Sequence, residues 1–296
     1  MNTKVLLAHA YGQSDVLKIE KHALPALAKG MARIQVKAAG INPIDARRMT
    51  GEFKHSGLPQ TFGTEYADVI TEVEGSQNTW SVGDEVLGSG DAFTHATIID
   101  VPLENLIKKP KNIDWKVAGT LAGVAQTAMT ILNEMGPAQS LLIHGGSGGV
   151  GSVLIQLALD QGIEVVATAS AQNQDYIRDL GATPVIYGEG LTERLKQIHP
   201  KPFDVSIDMS GHEDATQASL ATVKAGGFMA TIAGRQLSSN KIKPVWVKRN
   251  PANLQHVVDG VADGKIKWSV SRAYPFEQAQ QAYSDILDGH TQGKSV

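Results

Sequence analysis

Five glycines lie within seven residues in the stretch LLIHGGSGGVGSVLIQLAL, residues 141–159. Glycine loses more backbone entropy on folding than any other residue, so such a cluster indicates that another molecule approaches the main chain closely. Gly146, Gly148 and Gly151 satisfy the G-x-G-x-x-G spacing of dinucleotide-binding loops. This spacing also arises by chance in a glycine-rich chain, so the flanking residues must decide its meaning.

The residues around the glycines predict a strand, a tight turn and an amphipathic helix. The apolar run LLIH precedes the turn, and apolar residues follow it at i, i+3, i+4, i+7 and i+8 from Val150. Backbone amides and the positive end of the helix dipole would then meet at one point, which suits a pyrophosphate. A tight turn without a ligand is the alternative, and a P-loop is disfavoured because no lysine follows Gly151. We predict that the following residues bind the diphosphate: Gly146, Ser147, Gly148, Gly149, Val150 and Gly151.

The end of the next strand bears on the choice of nucleotide. NAD sites place an acidic residue there to bind the ribose hydroxyls. This strand ends in ATASAQNQDY, where Ser170 and Asn173 are neutral and the first acid, Asp175, is predicted to lie on the following helix. Neutral groups leave room for a 2′-phosphate, which favours NADPH. The alternative is that Ser170 only caps that helix.

Two kinds of hydrophobic pattern divide the chain. The first 110 residues contain alternating segments such as ARIQVKA and ADVITEV, which predict antiparallel strands in a small barrel or sandwich. From residue 141 the apolar runs LLIH, EVVATA, PVIY, FDVSIDM and GFMATIA recur with helical patterns between most of them, which predicts a doubly wound parallel sheet. IKPVWVKRN is predicted as a further strand, Pro251 to about Gly264 as a helix, and the tail as strand, helix and short strand.

Composition narrows the function classes. The 296 residues carry a net charge of −3, which offers no broad positive field for nucleic acid. The chain has no cysteine, so it has no disulfides, thiolate metal sites or cysteine nucleophiles. We find no signal peptide pattern and no apolar window long enough to cross a membrane, and we therefore expect a cytoplasmic protein without nucleic acid or membrane partners.

Several segments resemble the medium-chain dehydrogenase/reductases, in their zinc-free branch of quinone oxidoreductases and alkenal/enone reductases. The segments are KAAGINPIDARRMTGEF, FGTEYADVITEV, WSVGDEVLG, IHGGSGGVG, LGATPVI and DGHTQGKSV. The resemblance implies an α/β chain with a GroES-like, β-rich catalytic domain over 1–120 and 264–296, and a Rossmann domain with a doubly wound parallel sheet over 121–263. It also implies a homodimer.

The resemblance argues against a metal. Zinc-dependent relatives hold zinc with cysteine at the position of Ile41 or Asn42 and with histidine at the position of Thr64. The nine histidines show no metal-ligand spacing. We expect His144 to be a buried hydrogen-bonding residue, and His55 and His95 to lie in loops or on strand faces.

Without metal or cysteine, the chemistry left to bound NADPH is hydride delivery to a quinone or an α,β-unsaturated carbonyl. Negative charge then develops on the acceptor oxygen, and Asn42, Arg47 and Tyr66 are the predicted donors. The resemblance places Asn42 beside the nicotinamide and residue 47 at the mouth of the substrate cleft, where Arg47 either stabilises an enolate or lines a solvated rim. Asp45 either orients these residues or stabilises a turn.

The resemblance also implies further cofactor contacts. Thr127 lies on the helix that faces the nicotinamide, and Ser210, Ala233 and Gly234 follow strand ends. Tyr187 lies one position from the tyrosine expected near the adenosine phosphate. Two rival functions remain open, namely a non-catalytic NADPH-binding structural or redox-sensing protein and a secondary alcohol dehydrogenase.

Overall fold

The computed structural model describes residues 1–54, 57–75, 79–90, 93–235, 237–289 and 293–296, so His55 lies outside the described residues. The chain forms two compact units. The first unit contains Met1–Ala125, Arg249–Lys265 and Ser269–Val296, and the second contains Gln126–Lys248 and Ile266–Trp268. Among the described helices, none combines the length and apolar character that a bilayer crossing requires.

The secondary structure follows the two predicted patterns. The strands are β1 (Asn2–Ala8), β2 (Leu17–Ala23), β3 (Met31–Ala38), β4 (Gln60–Thr61), β5 (Glu65–Glu74), β6 (Glu85–Ser89), β7 (Ile98–Pro102), β8 (Leu106–Lys108), β9 (Ser140–His144), β10 (Glu164–Ala169), β11 (Thr183–Ile186), β12 (Phe203–Asp208), β13 (Val223–Thr231), β14 (Lys243–Pro244), β15 (Val270–Arg272) and β16 (Lys294–Ser295). The α-helices are α1 (Pro43–Thr50), α2 (Trp115–Ala118), α3 (Ala122–Met135), α4 (Gly149–Asp160), α5 (Gln174–Asp179), α6 (Leu191–Ile198), α7 (Glu213–Thr222), α8 (Pro251–Ala262) and α9 (Ala279–Asp288).

The first unit is built from small sheets. Its five-stranded sheet has the order β7-β3-β5-β6-β8 with antiparallel neighbours, and a three-stranded sheet has the order β2-β1-β4. The alternation in ARIQVKA and ADVITEV places one side of β3 and β5 in a core. That core contains Ala32, Ile34, Tyr66, Ile70 and Val101.

The second unit is a parallel sheet in the order β11-β10-β9-β12-β13-β14. Leu141, Leu142 and Ile143 in β9 are fully buried, as continuous apolar runs predict for strands covered on both faces. All carboxyl ends of the parallel strands lie at one edge, which is where open α/β sheets bind ligands. The predicted α/β class, with a β-rich first unit and a doubly wound parallel sheet in the second, is therefore confirmed.

Two sequence predictions differ from the structure. IKPVWVKRN was predicted as a strand, but only Lys243–Pro244 pairs with β13. The Val245 amide donates a further hydrogen bond of 2.9 Å to the Thr231 carbonyl, and no later residue of this segment is part of a strand. The predicted Rossmann range of 121–263 also contained α8, whereas Arg249–Lys265 groups with the first unit. There Asn112 Nδ2 donates a hydrogen bond of 2.8 Å to the Ala262 carbonyl.

Candidate active site

The three glycines of the G-x-G-x-x-G loop have different neighbours. A Cβ atom built on Gly146 would lie 2.7 Å from the Ala167 Cβ atom, and one on Gly151 would lie 2.6 Å from the Gly145 carbonyl oxygen. A Cβ atom on Gly148 would have only the Gly145 oxygen, at 3.6 Å, within 4 Å. Gly146 and Gly151 are therefore required for packing, whereas Gly148 keeps space open beside the main chain.

Backbone amides at the start of α4 lie next to this open space. Gly148 is the N-cap residue and no side chain caps the helix there. The first amides of a helix have no acceptor within the helix, so those of Gly149, Val150 and Gly151 need an outside partner. Gly148 and Gly149 are also partly exposed. The loop thus combines unpaired helix amides, a helix dipole and room for a guest, which fits a diphosphate.

The residues after β10 lie next to the glycine loop. The Gly146 amide donates to the Thr168 carbonyl at 2.9 Å, and Asn173 Nδ2 donates to Ser147 Oγ at 3.3 Å. Ser170 is the N-cap residue of the short 3-10 turn Ala171–Asn173, but its hydroxyl makes no capping bond. Within the described part of the chain, the buried Ser170 Oγ atom has no hydrogen-bond partner. The capping alternative for the Ser170 side chain is therefore not what the structure shows.

The other predicted cofactor residues of the second unit follow neighbouring strands. Tyr187 comes directly after β11 and is 46% exposed. Ser210 follows β12, where its amide and hydroxyl donate to Asp208 Oδ1 at 2.8 and 2.7 Å. Ala233 and Gly234 follow β13. The sheet therefore brings these four residues to the same edge as the glycine loop, whereas Thr127 lies separately on α3.

His144, the last residue of β9, lies in a buried polar network. Its Nε2 atom is 3.1 Å from Ser219 Oγ, which donates its own hydrogen to the Ala215 carbonyl at 2.8 Å. With the Ser219 hydrogen on the Ala215 carbonyl, Ser219 Oγ accepts from Nε2 in the tautomer that carries the imidazole hydrogen on that atom. Burial lowers the pKa of His144 from 6.5 to about 4, against the opposing charges of Asp208 and Asp214. His144 is a neutral, buried residue of the fold, as predicted.

Acid should destabilise the protein through His144. Between pH 6.5 and about 4 the unfolded chain binds a proton at His144 that the folded chain does not, so stability falls as the pH falls. The loss reaches about 3 kcal/mol once the pH is below both values. We expect His144→Gln to reduce the acid-dependent loss of unfolding free energy by that amount in denaturant titrations. His212→Gln, an exposed histidine of the same unit, is the matched control, and equal acid sensitivity in both variants would contradict the prediction.

In the first unit, Asn42 has a fixed amide orientation. Its Oδ1 atom accepts a hydrogen bond of 2.6 Å from Lys294 Nζ. Its Nδ2 atom donates to Glu65 Oε1 at 3.0 Å and to Thr64 Oγ1 at 3.2 Å. Both amide hydrogens are therefore used inside the unit, which corrects the prediction that Asn42 donates a hydrogen bond to the acceptor oxygen. What Asn42 offers to a ligand is the second lone pair of Oδ1.

Glu65 and Lys294 form a buried ion pair that sequence reasoning did not assign. Lys294 Nζ lies 2.5 Å from Glu65 Oε1, and the two side chains are 5% and 0% exposed. Glu65 Oε2 also accepts a hydrogen bond of 2.7 Å from the Gly123 amide in the first turn of α3. The two partners are separated by 229 positions along the chain. Both residues lie in segments that carry the family resemblance, FGTEYADVITEV and DGHTQGKSV, but no local pattern links them.

Arg47 and Asp45 lie on α1, which begins directly after Asn42. The Asp45 carboxylate accepts hydrogen bonds from the backbone amides of Asn42 and Gly63, both at 3.0 Å. Both bonds come from backbone amides, and the first is part of the capping box that starts α1, so the structure shows the turn-stabilising role of Asp45. The Arg47 side chain is 14% exposed and its Nε atom is 3.8 Å from Glu52 Oε1.

Tyr66 does not belong to the site. Its side chain is fully buried in the core of the first unit, and its hydroxyl has no hydrogen-bond partner among the described residues. Burial raises the pKa of this hydroxyl well above 10, with a further rise from Asp68. Successive residues of a strand face opposite sides, so Glu65 of β5 points to Asn42 and Tyr66 points into the core. The prediction that Tyr66 is a catalytic donor is therefore wrong.

An apolar cavity of about 240 Å³ lies elsewhere in the first unit. It is lined mainly by apolar side chains, including Leu6, Ile41, Phe276 and Tyr283. His95 lies at its wall and bonds Tyr283 through Nδ1 and the Gly40 carbonyl through Nε2. None of the predicted site residues is among the described residues that line this cavity.

Comparison with known proteins relates these features to a family. The sequence profile of the alcohol dehydrogenase GroES-like domain matches residues 28–138, and that of the zinc-binding dehydrogenases matches residues 180–296. The NADPH-dependent alkenal/one oxidoreductase of Arabidopsis thaliana is 31% identical over 97% of this chain and 77% of its own length. The chain belongs to the medium-chain dehydrogenase/reductase family. The motifs around Asn42, Gly148 and the C-terminus predicted this family membership correctly.

Two further similarities fall within the quinone and enone branch of the medium-chain dehydrogenase/reductases. The 2-methylene-furan-3-one reductase of Solanum lycopersicum is 30% identical over 86% of this chain and 76% of its own length. The quinone oxidoreductase of Coxiella burnetii has a solved structure that superposes with a TM-score of 0.88 at 25% identity. That match covers 100% of this chain and 98% of the other.

One of the matching profiles is described as zinc-binding, so the donor set of this dehydrogenase/reductase must be compared with zinc. The described residues contain no group of three or more His, Asp or Glu side chains arranged to hold a metal. Where the resemblance places the ligands of zinc-dependent members, this chain has Ile41 or Asn42 and Thr64, and the ammonium of Lys294 bonds the Ile41 carbonyl and the Asn42 side chain. A lysine cation at that position repels a second cation, so these residues do not fit zinc.

Proposed function

We propose that this protein is an NADPH-dependent oxidoreductase that delivers a hydride to a quinone or an α,β-unsaturated carbonyl without a metal. The observation that carries the proposal is the glycine loop, where space beside Gly148 and unpaired helix amides fit a diphosphate. The names of the relatives support the chemistry, since they include an NADPH-dependent alkenal/one oxidoreductase and a quinone oxidoreductase.

We propose three roles for residues of this chain: binding the phosphates of NADPH, contacting its nicotinamide and nucleotide, and stabilising charge on the acceptor. The amides of Gly148 to Gly151 hold the diphosphate. The neutral side chains of Ser170 and Asn173 donate hydrogen bonds to the 2′-phosphate. The nicotinamide and the nucleotide are contacted by further proposed residues: Asn42, Ser147, Thr127, Tyr187, Ser210, Ala233 and Gly234. When bound, NADPH supplies the hydride. Arg47 is then the proposed cation that stabilises negative charge on the acceptor oxygen.

The experiment is a turnover assay with the purified protein. We expect NADPH absorbance to fall when a panel of small enones and quinones is added, with faster oxidation for the enones. Enones are expected to be preferred because Arg47 and Phe53 stand where some quinone reductases have tyrosines. NADPH binding without oxidation across the panel would instead favour the structural or redox-sensing protein. Zinc in the purified protein, together with alcohol oxidation, would favour the secondary alcohol dehydrogenase.

We also propose a homodimer. Strand β14 lies at the edge of the six-stranded sheet, and Trp246 and Val247 just beyond it are 59% and 39% exposed. The edge of a sheet beside exposed apolar side chains is typical of an interface. In light scattering we expect the mass of a dimer for the wild type and a shift to the monomer for Trp246→Lys. Ile198→Lys, an exposed apolar residue elsewhere, should leave the dimer intact, and a monomeric wild type would contradict the proposal.

The cytoplasmic location remains a proposal. It is the expectation stated in the sequence analysis, whereas the Arabidopsis relative is named as chloroplastic. Cell fractionation with an antibody against the protein would test it, and recovery in an organelle fraction would contradict it.

A further inference from the structure

The Lys294 side chain has no hydrogen-bonding capacity left. Its Nζ atom contacts the Ile41 carbonyl oxygen at 3.0 Å, Asn42 Oδ1 at 2.6 Å and Glu65 Oε1 at 2.5 Å. An ammonium group has three hydrogens and these three oxygens accept all of them. All three contacts of the Lys294 ammonium therefore lie inside this cluster of Lys294, Glu65, Asn42 and the Ile41 carbonyl.

The two charges determine which way the Asn42 amide points. The ammonium of Lys294 can only donate, and the carboxylate of Glu65 can only accept. A flipped amide would place its NH₂ group against the ammonium and its oxygen against the carboxylate. The buried pair therefore excludes the flipped orientation, and only the second lone pair of Asn42 Oδ1 is available outside the cluster.

Strand pairing holds Lys294 in place from the C-terminal end of the chain. Lys294 pairs with Val270 of β15, and the Ile41 amide donates to the Ser295 carbonyl at 3.0 Å. The last strand is thus attached to the segment that precedes Asn42. Glu65 is held from a third direction by the Gly123 amide. Hydrogen bonds of Lys294 and Glu65 thus connect three distant parts of the first unit with the side-chain amide of Asn42.

We propose that Lys294, through its ion pair with Glu65, is a positioning residue that fixes the Asn42 amide for hydride transfer. The inference rests on the proposed function, because Asn42 is proposed to contact the nicotinamide. An acceptor lone pair at Asn42 Oδ1 fits an amide N–H donor such as the nicotinamide carboxamide. Loss of the pair would free Asn42 to rotate, and misplacement of a group by about 1 Å can cost about 100-fold in rate.

Paired substitutions separate positioning from stability. Lys294→Met alone leaves the Glu65 charge buried without its cation, so we expect a lower melting temperature and a lower kcat. The double variant Lys294→Met with Glu65→Gln removes both charges. We expect it to recover most of the melting temperature, to keep NADPH affinity within about threefold of the wild type, and to retain a kcat about 30-fold to 100-fold below it. Recovery of both melting temperature and kcat would overturn the inference.

A cycle with Asn42→Ala tests whether Lys294 acts through Asn42. We expect Asn42→Ala to lower kcat by a similar factor, and the added double substitution to lower it by less than about twofold more. Losses that multiply would overturn the inference, as would an Asn42→Ala variant with the wild-type kcat. Turnover by the wild type tests the proposed function separately. If the wild type turns over substrate and the kcat losses of the variants multiply, only the inference on Lys294 is rejected. If the wild type does not turn over substrate, both this inference and the proposed function are rejected.

Discussion

Replacing Gly148 with valine is expected to weaken NADPH binding by at least about 100-fold, or about 2.7 kcal/mol. The backbone at Gly148 has φ −75° and ψ 171°, an extended conformation that valine adopts readily. The nearest atom to an added Cβ is 3.6 Å away, so the chain should still fold. The valine methyl groups would instead occupy the space proposed for the diphosphate. Isothermal titration calorimetry with NADPH measures the loss.

Two further variants serve as controls for the Gly148→Val experiment. Gly57→Val places the same side chain at another open glycine of ordinary backbone conformation, and its NADPH affinity should equal that of the wild type. Gly146→Ala should lower the melting temperature because its Cβ would lie 2.7 Å from Ala167. If Gly148→Val bound NADPH as tightly as the wild type, the diphosphate could not lie against this loop.

Replacing Ser170 with aspartate is expected to lower the ratio of kcat/KM for NADPH to that for NADH by about 100-fold. Ser170 lies at the carboxyl end of β10, and its hydroxyl has no partner in the described residues. A carboxylate there would repel a 2′-phosphate and would accept hydrogen bonds from the ribose hydroxyls of NADH. Steady-state kinetics with the two cofactors measure the ratio.

Ser170→Asn is the matched control for the aspartate variant, because it has nearly the same size without the charge. We expect its cofactor ratio to stay within about tenfold of the wild type. A ratio that stays constant in Ser170→Asp would show that the 2′-phosphate lies elsewhere. An equal fall in both variants would show that size, not charge, controls the choice.

The nucleotide-binding unit was the easier part to predict from sequence. Strands buried on both faces are continuous apolar runs, so LLIH and EVVATA identified β9 and β10 directly. The carboxyl edge follows from parallel topology alone, which is why Ser170 and Ser210 were placed beside the glycine loop, whereas Tyr187 came from the family resemblance. The different roles of Gly146, Gly148 and Gly151 could be assigned only from the structure, because the sequence shows three identical residues.

The first unit was harder, because its site is assembled by pairing across long distances. Tyr66 and Glu65 are neighbours in one strand, and the face that each occupies depends on the register of β5, which a half-buried pattern did not fix. Lys294 reaches Glu65 from the last strand, and no local pattern encodes that contact. Asn42 was found through the family resemblance, but its donor role was excluded only when both amide hydrogens could be assigned to partners.

The most direct measurement of the central claim follows the hydride itself. The protein is incubated with an enone and NADPH deuterated at the transferring position of the nicotinamide, and the product is examined by mass spectrometry and NMR. We predict one deuterium on the β-carbon of the saturated product and none on the α-carbon, which takes its proton from solvent. NADPH that stays unoxidised, or a reduced product without deuterium, would contradict hydride transfer by this protein.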